Sequence, residues 1–196
     1  MKILLASHNR DKAEEFRGLL RGLPVELLTL DAFPAVGPVE EDAPTLEGNA
    51  LKKAREVFRL TGIPALADDT GLEVRYLNDA PGVFSSRYAG PGATYAENVR
   101  KLLRTLRGVP PRRRGARFRA VLAFIPAAGR EELAEGTVNG VILESPRGTG
   151  GFGYDPVFLP SGGTKTYAEM DLAEKNRISH RAHAADKMKE ILRKYV

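Results

Sequence analysis

Two acidic clusters, Glu40-Glu41-Asp42 and Asp68-Asp69, are the residues in this sequence whose chemistry is most readily named. Asp68-Asp69 follows the short apolar run Ala65–Ala67, which places the two aspartates at a strand end. Neighbouring carboxylates there are hard oxygen donors suited to Mg2+, which needs only one or two of them when substrate phosphates complete the shell. The plain alternative is a capping aspartate beside a solvated one. With no cysteine in the chain, thiol nucleophiles, Cys-ligated zinc, iron–sulfur clusters and disulfide scaffolds are excluded.

Three further polar clusters fall where turns are expected. Ser7-His8-Asn9-Arg10-Asp11-Lys12 leads from a strand into a helix, where free backbone N–H groups and the helix dipole favour phosphate and Lys12 adds a point charge. It is not a P-loop, because its glycines and GK[ST] ending are absent, and Ser7 or Asn9 taken alone reads as a helix cap. PRGTGGFGYDP lets backbone approach a ligand closely, with Phe152 and Tyr154 available to stack on a base. Lys175-Asn176-Arg177-Ile178-Ser179-His180-Arg181 sets cations at a helix start, where the dipole does not reward them, and so points to an anionic ligand.

The elements that must hold these clusters follow from periodicity. Strands are expected at 2–6, 25–30 and 65–67, with 72–76 continuing in extended form. Others are expected at 118–125, 133–137 and 141–144, as a meander. Helices are expected at 11–21, 45–60 (closed by Gly62 and Pro64), 95–106 and 176–195. The last carries Ile178, Ala182, Ala185, Met188, Leu192 and Tyr195 on one stripe. Segments 31–44 and 78–93 read as loops. Helices alternate with strands early and strands cluster late, so the class is α/β or α+β rather than a pure Rossmann fold.

At 196 residues the chain is long enough to bury a core without staples, as one domain or two lobes sharing a core. The apolar run at Ile3–Ala6 is too short for a signal peptide or a membrane span, and the expected location is the cytoplasm. Net charge is +5, densest at Arg112-Arg113-Arg114 with Arg117 and Arg119. A solvated loop explains that run most simply; a nucleic acid or polyphosphate partner is the sharper reading. A nucleic-acid module would leave Asp68-Asp69 and Glu40-Glu41 unexplained, since carboxylates repel a phosphate backbone.

Taken together, SxNxxK at 7–12, NAxxKA at 49–54, ADDTGLEV at 67–74, PGVFSSRYAG at 81–90, GFGYDPVF at 151–158 and KNRISHRxxA at 175–184 resemble the inosine triphosphate pyrophosphatase family. The resemblance covers essentially the whole chain, in order. The related Maf-type pyrophosphatases share the opening strand and turn but not GFGYDP or KNxISHR. The resemblance implies an α/β fold with a long twisted mixed sheet flanked by helices, forming two lobes with a substrate cleft between them. It also implies a single functional domain over 1–196 and a homodimer. The implied reaction is Mg2+-dependent hydrolysis of ITP, dITP and XTP to the monophosphate and pyrophosphate. The implied partner is the small-molecule substrate alone, without nucleic acid or membrane. A pyrophosphatase of the same fold acting on other altered or pyrimidine nucleotides is the neighbouring alternative.

Residue by residue, the resemblance makes Asp69 the general base and a metal ligand. Glu40 becomes the second metal carboxylate, with Glu41 as the competing register. Ser7, His8, Asn9, Arg10, Asp11 and Lys12 grip the triphosphate, Lys53 meets phosphate, and Thr70 follows the base. Phe152, Gly153, Tyr154 and Asp155 hold the purine, with Lys175, His180 and Arg181 completing the pocket. A donor to the 6-oxo group from Arg181, His180 or a backbone N–H would reject ATP, and a donor near position 2 would reject GTP.

Overall fold

The computed structural model describes residues 1–196. In chain order the elements are β1 (Lys2–Leu5), α1 (Arg10–Leu19), β2 (Glu26–Thr29), α2 (Leu46–Thr61), β3 (Ala65–Val74) and β4 (Pro81–Gly82). They continue as α3 (Tyr95–Thr105), β5 (Gly115–Ala127), β6 (Arg130–Ile142), β7 (Phe158–Pro160), α4 (Leu172–Ile178) and α5 (His180–Leu192). The strands form one mixed sheet in the order β2-β1-β3-β5-β6-β7, with β4 paired to β3. β1 runs parallel to β2 and β3, while β4 and β7 run antiparallel to β3 and β6. Helices flank the sheet, as the α/β reading requires.

The chain forms two compact units: residues 1–69, 120–136 and 181–196 make the first, and 70–119 with 137–180 make the second. Strands β3, β5 and β6 contribute residues to both. In the first unit Ile3, Leu4 and Leu5 of β1 are fully buried, as expected for a parallel strand covered on both faces. Ile3, Phe16, Leu66, Phe124 and Met188 belong to a single core that joins β1, α1, β3, β5 and α5. Helix α1 starts where Asn9 Oδ1 accepts the Lys12 N–H at 3.1 Å, and α2 starts where Thr45 Oγ1 accepts the Gly48 N–H at 3.1 Å.

In the second unit Leu72, Leu102, Leu106, Phe118, Phe158 and Tyr167 form the core. Helix α3 opens on a capping box between Thr94 and Glu97. Its far end is held by Arg114, which is 3% exposed. The Arg114 guanidinium donates to the carbonyls of Leu106 (2.8 Å), Ile142 (2.8 Å) and Leu143 (2.7 Å). One residue of the conspicuous arginine run is therefore a clamp between the end of α3 and the end of β6. Arg114→Met strands those buried carbonyls and is expected to cost about 3 kcal/mol, read as a lowered midpoint in urea with unchanged slope.

Three expectations change. Asp68-Asp69 lies within the ten-residue strand β3 rather than at a strand end, because ion pairs let both carboxylates stay buried inside the sheet. The strands expected at 133–137 and 141–144 are one thirteen-residue strand. Its Gly140 is a close-approach position, since a Cβ there would sit 2.4 Å from the Leu159 carbonyl oxygen of β7. The C-terminal helix is broken at Ser179, whose extended backbone ends α4. The break takes Ile178 out of the apolar stripe and leaves it 41% exposed, while Ala182, Ala185, Met188 and Leu192 stay buried.

Candidate functional site

The first unit gathers most of the charged candidates around β3. Successive strand residues face opposite sides of a sheet, so the adjacent aspartates serve different neighbours. Asp68 Oδ2 accepts from Lys12 Nζ at 2.7 Å and from Arg181 Nη2 at 3.1 Å, and Arg181 also binds Glu15. Burial alone would raise the Asp68 pKa, but Arg181 and Lys12 outweigh it and hold the carboxyl well below the usual range. Asp68 is thus a permanent anion committed to two cations.

Asp69 meets a separate set. Its Oδ1 lies 2.8 Å from Lys53 Nζ, and the same ammonium is 2.6 Å from Glu41 Oε1. Asn49 Nδ2 reaches Asp69 Oδ2 at 3.4 Å while its Oδ1 accepts the Ala43 N–H at 2.9 Å. Asn49 and Lys53 are four residues apart on α2, which puts both on the face turned to Asp69. Burial raises the Asp69 pKa, and Lys53, shared with Glu41, pulls it down only in part. The backbone carbonyl of Asp68 ties the two sets together, accepting from Lys53 Nζ at 2.9 Å and Lys12 Nζ at 3.2 Å. A half-buried lysine and a buried one therefore converge on one carbonyl beside a carboxylate whose pKa burial raises.

Glu40 is not brought to this cluster. It is exposed and lines a surface cavity with Gly37, Pro38, Val39, Lys52, Arg55, Glu56 and Leu60. The neighbouring Glu41 is the glutamate that pairs with Lys53. Along the turn into α1, Ser7 Oγ accepts the Asn9 N–H at 3.2 Å. His8, Arg10 and Asp11 are exposed there. Arg181 joins the buried Glu15–Asp68 network.

The second unit carries the remaining candidates. Asp155 accepts from Lys175 and from the Phe152 N–H at 2.9 Å, which folds the Gly-rich loop over itself. Gly151 permits this with φ +65°, and a Cβ there would lie 2.1 Å from Asp155 Oδ2. The Lys175 ammonium sits 4.7 Å from the Phe152 ring centroid and 5.5 Å from that of Tyr167. Phe152 is half-buried and tilts against Tyr95 at 5.8 Å, leaving part of its surface accessible. Gly153 follows it with φ +62°, and Thr70, also of this unit, is half-buried.

Tyr154 and His180 pack inside this unit. Tyr154 is not a stacking platform: it is 4% exposed, its hydroxyl donates to the Ser85 carbonyl at 2.9 Å, and burial pushes its pKa up. His180 stacks on Phe118 with centroids 4.4 Å apart and planes 11° from parallel. The loop is strapped from below by Arg147, which binds Glu169 at 2.7 Å and the Thr164 carbonyl at 2.6 Å. Arg147 and the Thr166 N–H hold the Glu169 carboxyl at about 2, below its ordinary 4.5. A carboxylate depressed on folding stabilises above its unfolded pKa and loses that contribution as pH falls from about 4.5 to about 2. Arg147→Gln should therefore flatten the acid limb of a stability–pH curve over that window.

Sequence reasoning missed Glu15 and named no role for Asn49 or for Asp68 apart from Asp69. Glu15 follows Lys12 by three residues and Asn49 precedes Lys53 by four, so helical spacing was the available signal for both.

The mixed sheet, the carboxylate–lysine cluster on β3 and the aromatic–lysine group of the Gly-rich loop together define an α/β protein of one recognisable class. The chain belongs to the Ham1 family, whose model matches residues 3–191. It is 47% identical to the dITP/XTP pyrophosphatase of Geobacter sulfurreducens, over 97% of this chain and 96% of that one. It is 50% identical to the dITP/XTP pyrophosphatase of Elusimicrobium minutum, over 96% and 98%. Among solved structures, a HAM1 protein from Coxiella burnetii superposes with a TM-score of 0.89 at 42% identity, covering 99% of both chains.

Proposed function

We propose that this chain is a pyrophosphatase of noncanonical purine nucleoside triphosphates, converting ITP, dITP or XTP to the monophosphate and pyrophosphate. The observation that carries this is the Lys53 ammonium bridging Asp69 and Glu41 while Lys12 stands on the neighbouring carbonyl. Family membership and relatives bearing that activity support it.

In this reading a water oxygen bonds to the α-phosphorus as the bond to the bridging oxygen breaks and pyrophosphate leaves. Asp69 takes the proton of that water at a carboxylate oxygen; its raised pKa makes it a stronger base than an exposed aspartate. Lys12 and Lys53 lie beside it to neutralise the leaving group, and exposed Arg10 stands two residues before Lys12 on α1. Asp69 and Glu41 fit Mg2+, being two hard carboxylates that share only one ammonium, and the ion would supply charge neutralisation on phosphate oxygens. Phe152, Lys175 and Asp155 are assigned to the purine. A donor aimed at the 6-oxo group, such as a backbone N–H of the Gly-rich loop, would meet a donor in ATP. A homodimer in the cytoplasm completes the reading.

The test is pyrophosphate release from ITP, dITP and XTP beside ATP, GTP, dUTP and dTTP, with Mg2+ and with chelator. Fast release from the deaminated purines only, abolished by chelator, is expected. Release of orthophosphate, or equal rates on ATP and ITP, would sink the proposal. Phe152→Ala should raise KM for ITP by about fivefold or more with kcat little changed, because stacking serves ground and transition states alike.

A further inference from the structure

The basic run that the proposed chemistry does not use has a definite form. Between Val99 and Arg119 lie nine Lys and Arg residues and no Asp or Glu. In a chain of net charge +5, this one stretch therefore outweighs a net negative remainder. Arg100, Arg104 and Arg107 recur at helical spacing opposite buried Asn98, Leu102 and Leu106, and all three are exposed. Arg112 and Arg113 follow on the turn Pro111–Arg113, also exposed.

That turn is not a loose loop. Arg114 pins it to the end of α3 through the carbonyls of Leu106 and Val109, so the helix stripe and the turn form one rigid surface. Arg113 lies 4.8 Å above the ring of Tyr76, which is 41% exposed. Arg75 precedes that tyrosine, with its Cδ near Gly115. Carboxylates stand only at the margins: Glu97 acts on Arg100, Glu73 pairs with Arg117, and Glu144 acts on the buried Arg114. Arg104, Arg107 and Arg112 make no ion pair, whereas Arg147 of the same unit meets Glu169.

A pre-positioned row of exposed guanidinium groups, three of them without an ion pair, beside an accessible aromatic ring matches the way single strands are bound. Planar arginines engage phosphates bidentately, and a ring offers any base a stacking face. We propose that this arginine surface, Arg100, Arg104, Arg107, Arg112 and Arg113 with Tyr76, binds single-stranded nucleic acid. The proposal reverses the expectation of no nucleic-acid partner and stands independently of the hydrolytic reading, because none of these residues belongs to that site.

The experiment is fluorescence anisotropy of a labelled oligo-uridine strand with the full chain, in chelator so that no hydrolysis intervenes. Binding should weaken about a hundredfold between 50 and 200 mM salt, a log–log slope near −3.5 for five phosphate contacts. Arg104→Glu/Arg107→Glu/Arg112→Glu should weaken binding at least tenfold and cut the slope by about 2, while ITP turnover and melting stay as in the parent. Tyr76→Ala should weaken oligonucleotide binding about fivefold or more and leave inorganic polyphosphate binding unchanged. No binding at low salt, equal binding by the triple variant, or equal affinity for polyphosphate or anionic phosphatidylglycerol vesicles would overturn the proposal.

Discussion

Asp69→Asn should slow pyrophosphate release from ITP by about 10²–10⁴-fold without unfolding the protein. The carboxamide matches the carboxylate in size, so Asn49 and Lys53 keep a partner, and Lys53 retains Glu41. What is lost is the proton acceptor beside the attacking water and one of two hard donors. A loss of that size corresponds to about 3–5 kcal/mol of barrier. Steady-state pyrophosphate assays beside a thermal melt check both halves, and equal rates for parent and variant would show that Asp69 is not the base. The same assays separate the neighbouring glutamates: Glu41→Gln should lower turnover, while Glu40→Gln should leave it within twofold, because Glu40 lies outside the Lys53 cluster.

Arg181→Met should be the most destabilising single change in the first unit, by about 3–5 kcal/mol. Arg181 is 1% exposed and is the shared partner of Glu15 and Asp68, both equally buried. Burial works against its charge, yet the two carboxylates outweigh that and raise its pKa. Without the guanidinium, Asp68 keeps Lys12 but Glu15 is left as a buried anion that lacks this cation. The melting midpoint should fall by roughly 6–20 °C for a chain of this length. Glu15→Gln combined with Arg181→Met should recover part of the loss, since a neutral pair carries no stranded charge. An unchanged midpoint for Arg181→Met would mean the network contributes nothing.

Much of the architecture was legible because local signals agreed. Asn9, Thr45 and Thr94 are N-caps where the helical periodicity begins, and Gly62 closes α2 in the left-handed conformation. The errors share one cause, a local polar or glycine signal overridden by tertiary contact. Asp68-Asp69 reads as a strand end because buried charge is costly, yet Arg181, Lys12 and Lys53 make it affordable inside β3. Residues 133–137 and 141–144 read as two strands until β7 packs against Gly140 between them, and Tyr154 reads as a ligand platform until Ser85 takes its hydroxyl.

The acidic clusters at 40–42 and 68–69 mark the division between the two kinds of information. Residue types, order and spacing sufficed to place the chain in its family, because six motifs in fixed order record a whole chemistry even when each is weak alone. They also named Asp69, Lys12 and Lys53 as candidates. Only the folded chain distinguished Glu41 from Glu40, committed Asp68 to Arg181 while leaving Asp69 to Lys53, and recruited Glu15 across 166 positions. The reason is that a charge is defined by what surrounds it. Adjacent carboxylates are equivalent on paper, but a strand turns them to opposite faces, and which cations wait on each face depends on residues far away in sequence.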